Sequence, residues 1–178
     1  GLFNGSIAYY LGKVKDDIVY DENSRRGANI NHNTKRQGVE ISLRSNRFKS
    51  FQPFGGLSWV QSRFDDGAYE NKDLPLIPLW QLTGGIDFLL NDSWTARLEG
   101  LKINEQTAIN DLQNNLPTND YFLVNGSVRY QKNDLGLFLA INNLTDEKYE
   151  TYPTSSDGVI FRNPAPGISL RTGLNYEF

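Results

Sequence analysis

The stretch that decides the fold is GISLRTGLNYEF, residues 167 to 178. Every second residue in it is apolar or tolerated in lipid, and the residues between are polar or glycine. The first set is Ile168, Leu170, Thr172, Leu174, Tyr176 and Phe178, and the second is Ser169, Arg171, Gly173, Asn175 and Glu177. Because successive side chains of a β-strand point to opposite faces of the sheet, this alternation predicts a strand with one apolar and one polar face.

Similar alternation recurs in seven segments upstream, and no segment carries the period of an amphipathic helix. The apolar residues of these segments are Phe3, Ile7, Tyr9 and Leu11; Val39, Ile41 and Leu43; Trp80, Leu82, Ile86, Phe88 and Leu90; Trp94, Ala96 and Leu98; Phe122, Val124, Val128 and Tyr130; and Leu135, Leu137, Leu139 and Ile141, with Phe51–Phe64 as the least regular segment. The sequence therefore predicts an all-β, antiparallel fold of about eight strands.

The amino-acid composition argues against a helical membrane protein and against a nucleic-acid-binding protein. Hydrophobic residues make up 38% of the 178 residues and the mean hydropathy is -0.52. A transmembrane helix needs about 20 predominantly apolar residues in a row, which this chain lacks, whereas alternating strands of a membrane barrel are polar on average. The net charge of -3 argues against a nucleic-acid partner. With neither Cys nor Met in the chain, we expect no disulfide framework and a processed product or a fragment.

The connections between the predicted strands alternate in length. Short links cover residues 45–50, 91–93 and 131–134, and long ones cover 21–33, 65–78, 104–119 and 145–166. Outer-membrane barrels combine short periplasmic turns with long outer loops. This asymmetry predicts that the last strand runs towards the periplasm.

Soluble β-sandwiches and lipocalin-like barrels also alternate, so the pattern by itself leaves them open. Two features favour a membrane barrel: a charged non-apolar face, typical of a hydrated lumen, and aromatic residues at strand ends, typical of a membrane interface. The charged residues are Arg36, Glu40, Arg44, Arg97, Glu99, Arg129, Arg171 and Glu177. The aromatic residues are Tyr9, Tyr10, Trp80, Trp94, Tyr130, Tyr176 and Phe178.

Two segments carry a family resemblance, INNLTDEKYETYP at 141–153 and NPAPGISLRTGLNYEF at 163–178. They resemble the end of TonB-dependent outer-membrane receptors, in which an N-L-x-D-x-x-Y segment leaves the penultimate strand and a P-G-R-like turn opens the last. Asn143, Leu144, Asp146 and Tyr149 match the first motif, and Pro166 and Gly167 match the second, with Ile168 in place of the frequent Arg. KRQGVEISL at 35–43 and LPLIPLWQLTGGIDF at 74–88 resemble earlier strands of the family.

The resemblance implies that residues 1–178 are the C-terminal part of a barrel of about 22 strands, corresponding to its last eight, with the plug domain and earlier strands absent. It implies a receptor in the outer membrane of a Gram-negative bacterium that imports a scarce nutrient, most often a ferric siderophore, with cobalamin, haem or carbohydrate as alternatives. The implied partners are outer-membrane lipid, the TonB complex through the missing plug, and the barrel-assembly machinery. No TonB box is visible. The assembly signal would comprise Leu170, Thr172, Leu174, Tyr176 and Phe178.

The residues indicate binding rather than catalysis, so we expect no enzyme, no cofactor and no metal site. His32 is the only histidine and has no acid within a few positions, and no glycine loop suits a phosphate. Loops on a rigid barrel are the usual place for recognition. The candidate ligand-binding residues are Arg25, Arg26 and His32 in the first long connection and Tyr149, Tyr152, Phe161 and Arg162 in the last. The alternative for each is ordinary loop solvation or contact with lipopolysaccharide.

Two other functions fit the sequence pattern. Eight strands can close into a self-contained outer-membrane barrel whose interior is filled by side chains, with an adhesin or structural role. A soluble β-sandwich that binds a partner is the second alternative.

Overall fold

The computed structural model describes residues 2–21, 28–46 and 48–177. The strands are β1 (Phe3–Asp21), β2 (Ala28–Ser45), β3 (Phe51–Phe64), β4 (Trp80–Leu89), β5 (Trp94–Ile103), β6 (Tyr121–Lys132), β7 (Leu135–Asn142), β8 (Thr154–Ser156), β9 (Val159–Phe161) and β10 (Ser169–Tyr176). Its helical content within these ranges is one turn of 3-10 helix at Gly67–Tyr69. None of the helices in the described ranges has the length and hydropathy needed to cross a membrane.

Eight strands form one antiparallel sheet in the order β1-β2-β3-β4-β5-β6-β7-β10, and β8 and β9 form a separate hairpin. This confirms the predicted all-β fold with eight main strands. In the described part of the chain β1 does not pair with β10, so the sheet is open at both edges. The self-contained eight-stranded barrel and the two-sheet sandwich are therefore both wrong for this chain.

The register aligns the apolar residues of neighbouring strands on one face, which we call the apolar face. Ile7, Ile41, Leu57 and Leu82 lie in one continuous row across β1 to β4. These side chains are exposed, with Ile7 at 75%. A continuous, exposed and uncharged surface of this kind is what a lipid-facing wall requires.

Aromatic side chains mark two borders of the apolar face. In β3, β4 and β6 the border residues lie eight positions apart along the strand, and they are Phe51 and Trp59, Trp80 and Phe88, and Phe122 and Tyr130. Eight residues span about 27 Å of strand, which at the usual tilt is about 20 Å across the membrane. That distance matches the height of the apolar band of an outer-membrane barrel, about 25 Å.

The opposite, polar face carries a network centred on Asp87. Arg44 and Arg97 both donate hydrogen bonds to its carboxylate, and each guanidinium carbon lies 4.9 Å from the centre of the Phe54 ring. Phe54 lies opposite Gly85 in the ladder, and a Cβ atom at Gly85 would lie 2.6 Å from the ring and 2.5 Å from the Leu98 carbonyl oxygen. The Phe54 ring thus occupies space that a Cβ atom at residue 85 would take, so this packing requires glycine there.

Two further aromatic residues cover cross-strand glycines on the polar face. Tyr10 lies over Gly38 and Phe138 lies over Gly173, with ring atoms 2.5 Å and 2.1 Å from the Cβ positions that these glycines lack. The prediction that Tyr10 belongs to the aromatic membrane border is therefore wrong. Its ring packs on the polar face because it shares the orientation of Ser6 and Ala8 in β1.

The first long connection differs from the sequence prediction. The sequence pattern predicts a loop at residues 21–33, but β1 continues to Asp21 and β2 begins at Ala28. A bulge between Val14 and Asp17 interrupts the register, after which Asp17 pairs with His32. The segment ANINHNTK does not alternate between apolar and polar residues, so the sequence pattern does not predict a strand there. The two strands extend beyond the apolar band, where neither face of the sheet needs apolar residues.

Adjacent glycines of β4 provide a test of the glycine–aromatic contact. We expect Gly85→Ala in the full-length protein to lower the free energy of unfolding by about 1–3 kcal/mol, because the methyl group overpacks against a backbone oxygen and the Phe54 ring. Gly84→Ala is the matched control, since its Cβ would meet only the Phe54 carbonyl oxygen at 3.8 Å. Urea unfolding in detergent micelles measures both, and equal effects would contradict the proposed contact.

Candidate functional site

Three connections lie at the same end of the sheet as the extensions of β1 and β2. They are residues 65–79, 104–120 and 143–168, and we call them together the outer loop layer. The other end carries short turns, which span residues 46–50, 90–93 and 133–134. The predicted alternation of short and long connections is therefore confirmed for these six.

The outer loop layer has its own hydrophobic core. Phe64, Tyr69, Leu74 and Leu112 form a buried cluster, with exposures between 0% and 9%, and Val19 from the extension of β1 packs against it. These residues come from β1, β3 and two different loops. Because burial of such side chains stabilises the arrangement of the segments that carry them, the loops have a defined shape.

Hydrogen bonds join the three loops to one another. Asn114 and Asp73 are linked in both directions: the Asp73 N–H donates to Asn114 Oδ1 at 2.6 Å, and Asn114 Nδ2 donates to the Asp73 carbonyl at 3.0 Å. The Ile109 N–H donates to the Pro153 carbonyl, and the Ser155 N–H donates to the Ile109 carbonyl, both at 2.9 Å. The outer loop layer is therefore a connected platform rather than a set of independent loops.

The motif that carries the family resemblance is a buried turn in this layer. Asn143, 2% exposed, has φ +54°, a conformation that Asn tolerates better than most residues. Its Oδ1 accepts the Glu147 N–H at 2.8 Å, and its Nδ2 donates to the Glu147 carbonyl at 3.0 Å. Leu144 lies against Gly126, where an added Cβ would be 3.2 Å from its Cδ1 atom. The motif thus fixes the exit of β7 against β6.

Asp146 extends the same turn to the start of β10. Its carboxylate accepts the Ile168 N–H at 3.1 Å and pairs with Lys148 at 2.8 Å. The hydrogen bond from Lys148, followed by that from Ile168, holds the pKa of the Asp146 carboxyl below its usual range. A Cβ at Gly167 would lie 2.4 Å from Asp146 Oδ1, so glycine is needed there for close approach.

The structure describes one residue of the first predicted ligand-binding group. Arg25 and Arg26 lie outside the described residues. His32 belongs to β2 rather than to a loop, and its ring meets those of Phe64 and Tyr69 edge-on, with centroids 5.1 Å and 5.6 Å away. Its Nε2 atom is buried without a hydrogen-bond partner. His32 therefore packs beside the core of the outer loop layer, in a strand rather than in the predicted loop.

The second group divides into packed and exposed residues. Tyr149 packs against Tyr121, with ring centroids 4.6 Å apart, and Arg162 forms an ion pair with Glu150. Tyr152 and Phe161 remain 63% and 55% exposed. The structure thus leaves two aromatic side chains of the last connection available to solvent.

Phe161 lies in the hairpin of β8 and β9. The alternation of apolar and polar residues does not predict this hairpin. Its turn is Asp157-Gly158, with φ values of +50° and +76°. Asp-Gly between short β-prone runs is a strong signal for a two-residue hairpin, and TSSDGVIF contains it. The backbone of Thr154 also forms a parallel bridge with Ile109, which ties the hairpin to the loop of residues 104–120.

A pocket of about 380 Å³ opens between this hairpin and the loop of residues 104–120. Tyr69, Leu112 and Leu116 contribute apolar surface to it, and its polar lining residues are Asn110, Asp111, Gln113, Asn115, Ser155 and Asp157. Both Asp111 carboxylate oxygens accept backbone N–H groups, from Asn115 and Leu116. Across residues 2–21, 28–46 and 48–177 no three His, Cys, Asp or Glu residues group as metal ligands would.

Comparison of the chain with known protein families identifies a family of β-barrels, in agreement with the antiparallel sheet and its long loops. The model of the family described as TonB dependent receptor-like, beta-barrel matches residues 1–144. The chain belongs to this family. In a barrel of this family the apolar face is the outer, lipid-facing wall, and the polar face with Asp87 lines the interior.

Solved structures of TonB-dependent receptors share the fold. The siderophore receptor PiuA from Acinetobacter baumannii is 19% identical with a TM-score of 0.73, and the match covers 98% of this chain and 26% of that one. The ferric yersiniabactin uptake receptor FyuA from Yersinia pestis is 16% identical with a TM-score of 0.79, covering 99% and 28%. The copper transporter OprC is 15% identical with a TM-score of 0.78, covering 99% and 29%. The chain thus spans between a quarter and a third of their lengths.

The buried turn at Asn143 can be tested by substitution in the full-length protein. We expect Asn143→Ala to lower the free energy of unfolding by about 2–3 kcal/mol, because it leaves both backbone groups of Glu147 without partners. Asn142→Ala is the matched control, since Asn142 is exposed and its side chain forms one long hydrogen bond among the described residues, to Ser169 Oγ at 3.4 Å. Urea unfolding compares the two, and a loss of less than about 0.5 kcal/mol for Asn143→Ala would be evidence against the role of the turn.

Proposed function

We propose that this chain forms part of the barrel of an outer-membrane receptor that imports a scarce nutrient, with a ferric siderophore as the cargo. The family is one of transport receptors rather than enzymes, which supports a binding and transport role without catalysis. PiuA and FyuA carry siderophore functions in their descriptions, whereas OprC transports copper. The cargo therefore has to be argued from the loops of this chain.

The observation that carries the proposal is the exposure of two aromatic side chains of the last connection, Tyr152 and Phe161. Arg162 follows Phe161 in the sequence; it is ion-paired with Glu150, but its side chain is half exposed. A ferric siderophore is a compact and often anionic chelate with flat ligand groups. Aromatic faces pack against such groups, and a guanidinium adds charge-assisted hydrogen bonds. The outer loop layer is packed and hydrogen-bonded, so it would hold these side chains in place before cargo arrives, which reduces the entropic cost of binding.

Energy coupling belongs to parts of the protein beyond this chain. The chain covers 26% to 29% of the matched receptors quoted above, and we assign residues 1–178 to the C-terminal portion of the barrel. We place the contact with the TonB complex in an N-terminal plug and the barrel itself in the outer membrane of a Gram-negative bacterium. Insertion by the barrel-assembly machinery would use the apolar side of β10, with Leu170, Thr172, Leu174 and Tyr176; Phe178 lies outside the described residues.

Transport can be tested with the full-length gene in a strain that lacks its own siderophore receptors. We expect uptake of radiolabelled iron from a panel of ferric catecholate and hydroxamate siderophores, and loss of that uptake in a matched strain without TonB. Uptake of cobalamin, haem or copper in place of ferric siderophores would show that the proposed cargo is wrong. Iron uptake that persists without TonB would contradict the receptor mechanism.

The role of Tyr152 in recognition is a separate prediction. We expect Tyr152→Ala to weaken siderophore binding about tenfold, since an aromatic contact contributes about 0.5–1.5 kcal/mol beyond its buried area. Tyr9→Ala is the matched control, because Tyr9 is similarly exposed, at 66% against 63%, but lies on the apolar face of β1. Isothermal titration with purified protein measures both dissociation constants. Equal values for Tyr152→Ala and the wild type would exclude this residue from the site.

A further inference from the structure

A second pocket, of about 370 Å³, opens on the polar face of the sheet near the end that carries the short turns. The register places its polar lining in two adjacent rows of the ladder. Gln52, Asp87, Arg97 and Ser127 lie each opposite the next across β3 to β6, and Thr95 lies opposite Arg129 in the row that is two positions nearer the turns. We call these six residues the interior pocket, because the face that carries them lines the interior of the barrel.

The interior pocket carries more positive than negative charge. Its carboxylate, Asp87, accepts hydrogen bonds from both Arg97 and Arg44. Arg129 is exposed, and within the part of the chain that the structure describes its guanidinium has neither an ion pair nor a hydrogen bond. Glu99, the next carboxylate along this face of β5, lies four residues of strand, about 13 Å, from the row that contains Arg129. No carboxylate of the described chain therefore pairs with the charge of Arg129.

Neutral hydrogen-bonding groups surround this charge. Gln52 contributes a side-chain amide, and Thr95 and Ser127 contribute hydroxyl groups. None of these three side chains forms a hydrogen bond with another described residue. A guanidinium can bind both oxygens of a carboxylate through two parallel hydrogen bonds, and hydroxyl and amide N–H groups can donate further ones. An unpaired cation beside unused donors therefore favours an oxyanion over a neutral or cationic group.

We propose that the interior pocket binds a carboxylate group of a small anionic molecule on its way through the barrel, with Arg129 as the residue that pairs with it. The volume of the pocket lies within the range of small-molecule sites, about 300–1,000 Å³. A molecule that enters between the loops and leaves towards the short turns passes this face of the sheet. The inference rests on the proposed function in placing this face along an import path, and it adds that the cargo carries carboxylate groups.

The test uses the full-length protein in detergent and radiolabelled propane-1,2,3-tricarboxylate as the probe, with binding measured by equilibrium dialysis. We expect Arg129→Gln to weaken binding at least about tenfold, because the variant loses the charge and the paired donors that hold the carboxylate. Arg129→Lys keeps the charge without the paired geometry, so its loss should be intermediate. A loss of less than about twofold in Arg129→Gln would overturn the proposal.

Arg171→Gln is the matched control for charge. Arg171 lies on the same polar face in β10 but outside the interior pocket, with its guanidinium carbon 5.9 Å from the centre of the Phe138 ring. This variant should bind the probe within about twofold of wild type. An equal loss in both variants would show that the overall charge of the face attracts the probe, and would overturn the proposal. Equal binding of the uncharged propane-1,2,3-tricarboxamide would also overturn it.

An acidic side chain of the plug would be a different occupant of Arg129. Because Arg129 is exposed and unpaired in this chain, we expect Arg129→Gln to keep the wild-type thermal midpoint of unfolding. A lowered midpoint, together with no binding of the tricarboxylate by the wild type, would show that the guanidinium holds a protein carboxylate. That result would overturn the proposal of a small-molecule site.

The uptake assay separates this inference from the proposed function. A protein that binds the tricarboxylate through Arg129 but imports none of the tested nutrients would keep the carboxylate site and lose the transport proposal. A protein that imports a siderophore but binds the tricarboxylate equally well with and without Arg129 would keep transport and lose the carboxylate site.

Discussion

The cross-strand register of the eight-stranded sheet is the constraint on which the two faces depend. Arg97 lies opposite Asp87 on one side and Ser127 on the other, while the adjacent Leu98 faces Ile86 and Gly126. A slip of one residue would turn Arg97 to the lipid side, at a cost of about 2–4 kcal/mol near the bilayer midplane, and would break its ion pair with Asp87. The salt-bridged network on the polar face and the apolar rows on the other therefore specify the same register.

The extensions of β1 and β2 connect the sheet to the outer loop layer. Strands of 19 and 18 residues are much longer than the approximately 10 residues that cross a membrane, so their upper parts stand above the apolar band. Val19 packs there against the core formed by Phe64 and Leu112. The outer loop layer thus packs on the extended strands, and the hairpin that carries Phe161 is tied to it through the backbone bridge between Thr154 and Ile109.

Alternation in the sequence was sufficient to predict the strands that lie within the apolar band and the face on which each residue lies. It failed where that band ends, because a strand covered by loops or water has no reason to alternate, as in the segment containing His32. The predicted place of Tyr10 at the membrane border is wrong for another reason: its packing depends on Gly38, a cross-strand partner 28 positions away. Pairs such as Asn114 with Asp73 are set by loop conformation and have no periodic signal at all.

The residues that carry the family resemblance explain why that resemblance predicts the fold better than the ligand. Asn143, Leu144 and Asp146 use their side chains on backbone groups and on packing within the turn between β7 and β10, so their contacts serve the fold and do not depend on a ligand. Tyr152 and Phe161 make no comparable contribution to the fold, since most of their surface stays exposed. Substitution there removes little buried surface and therefore carries little structural cost. A barrel built in this way can keep one wall while its loops take different cargo, which is consistent with a shared fold among receptors described for siderophores and for copper.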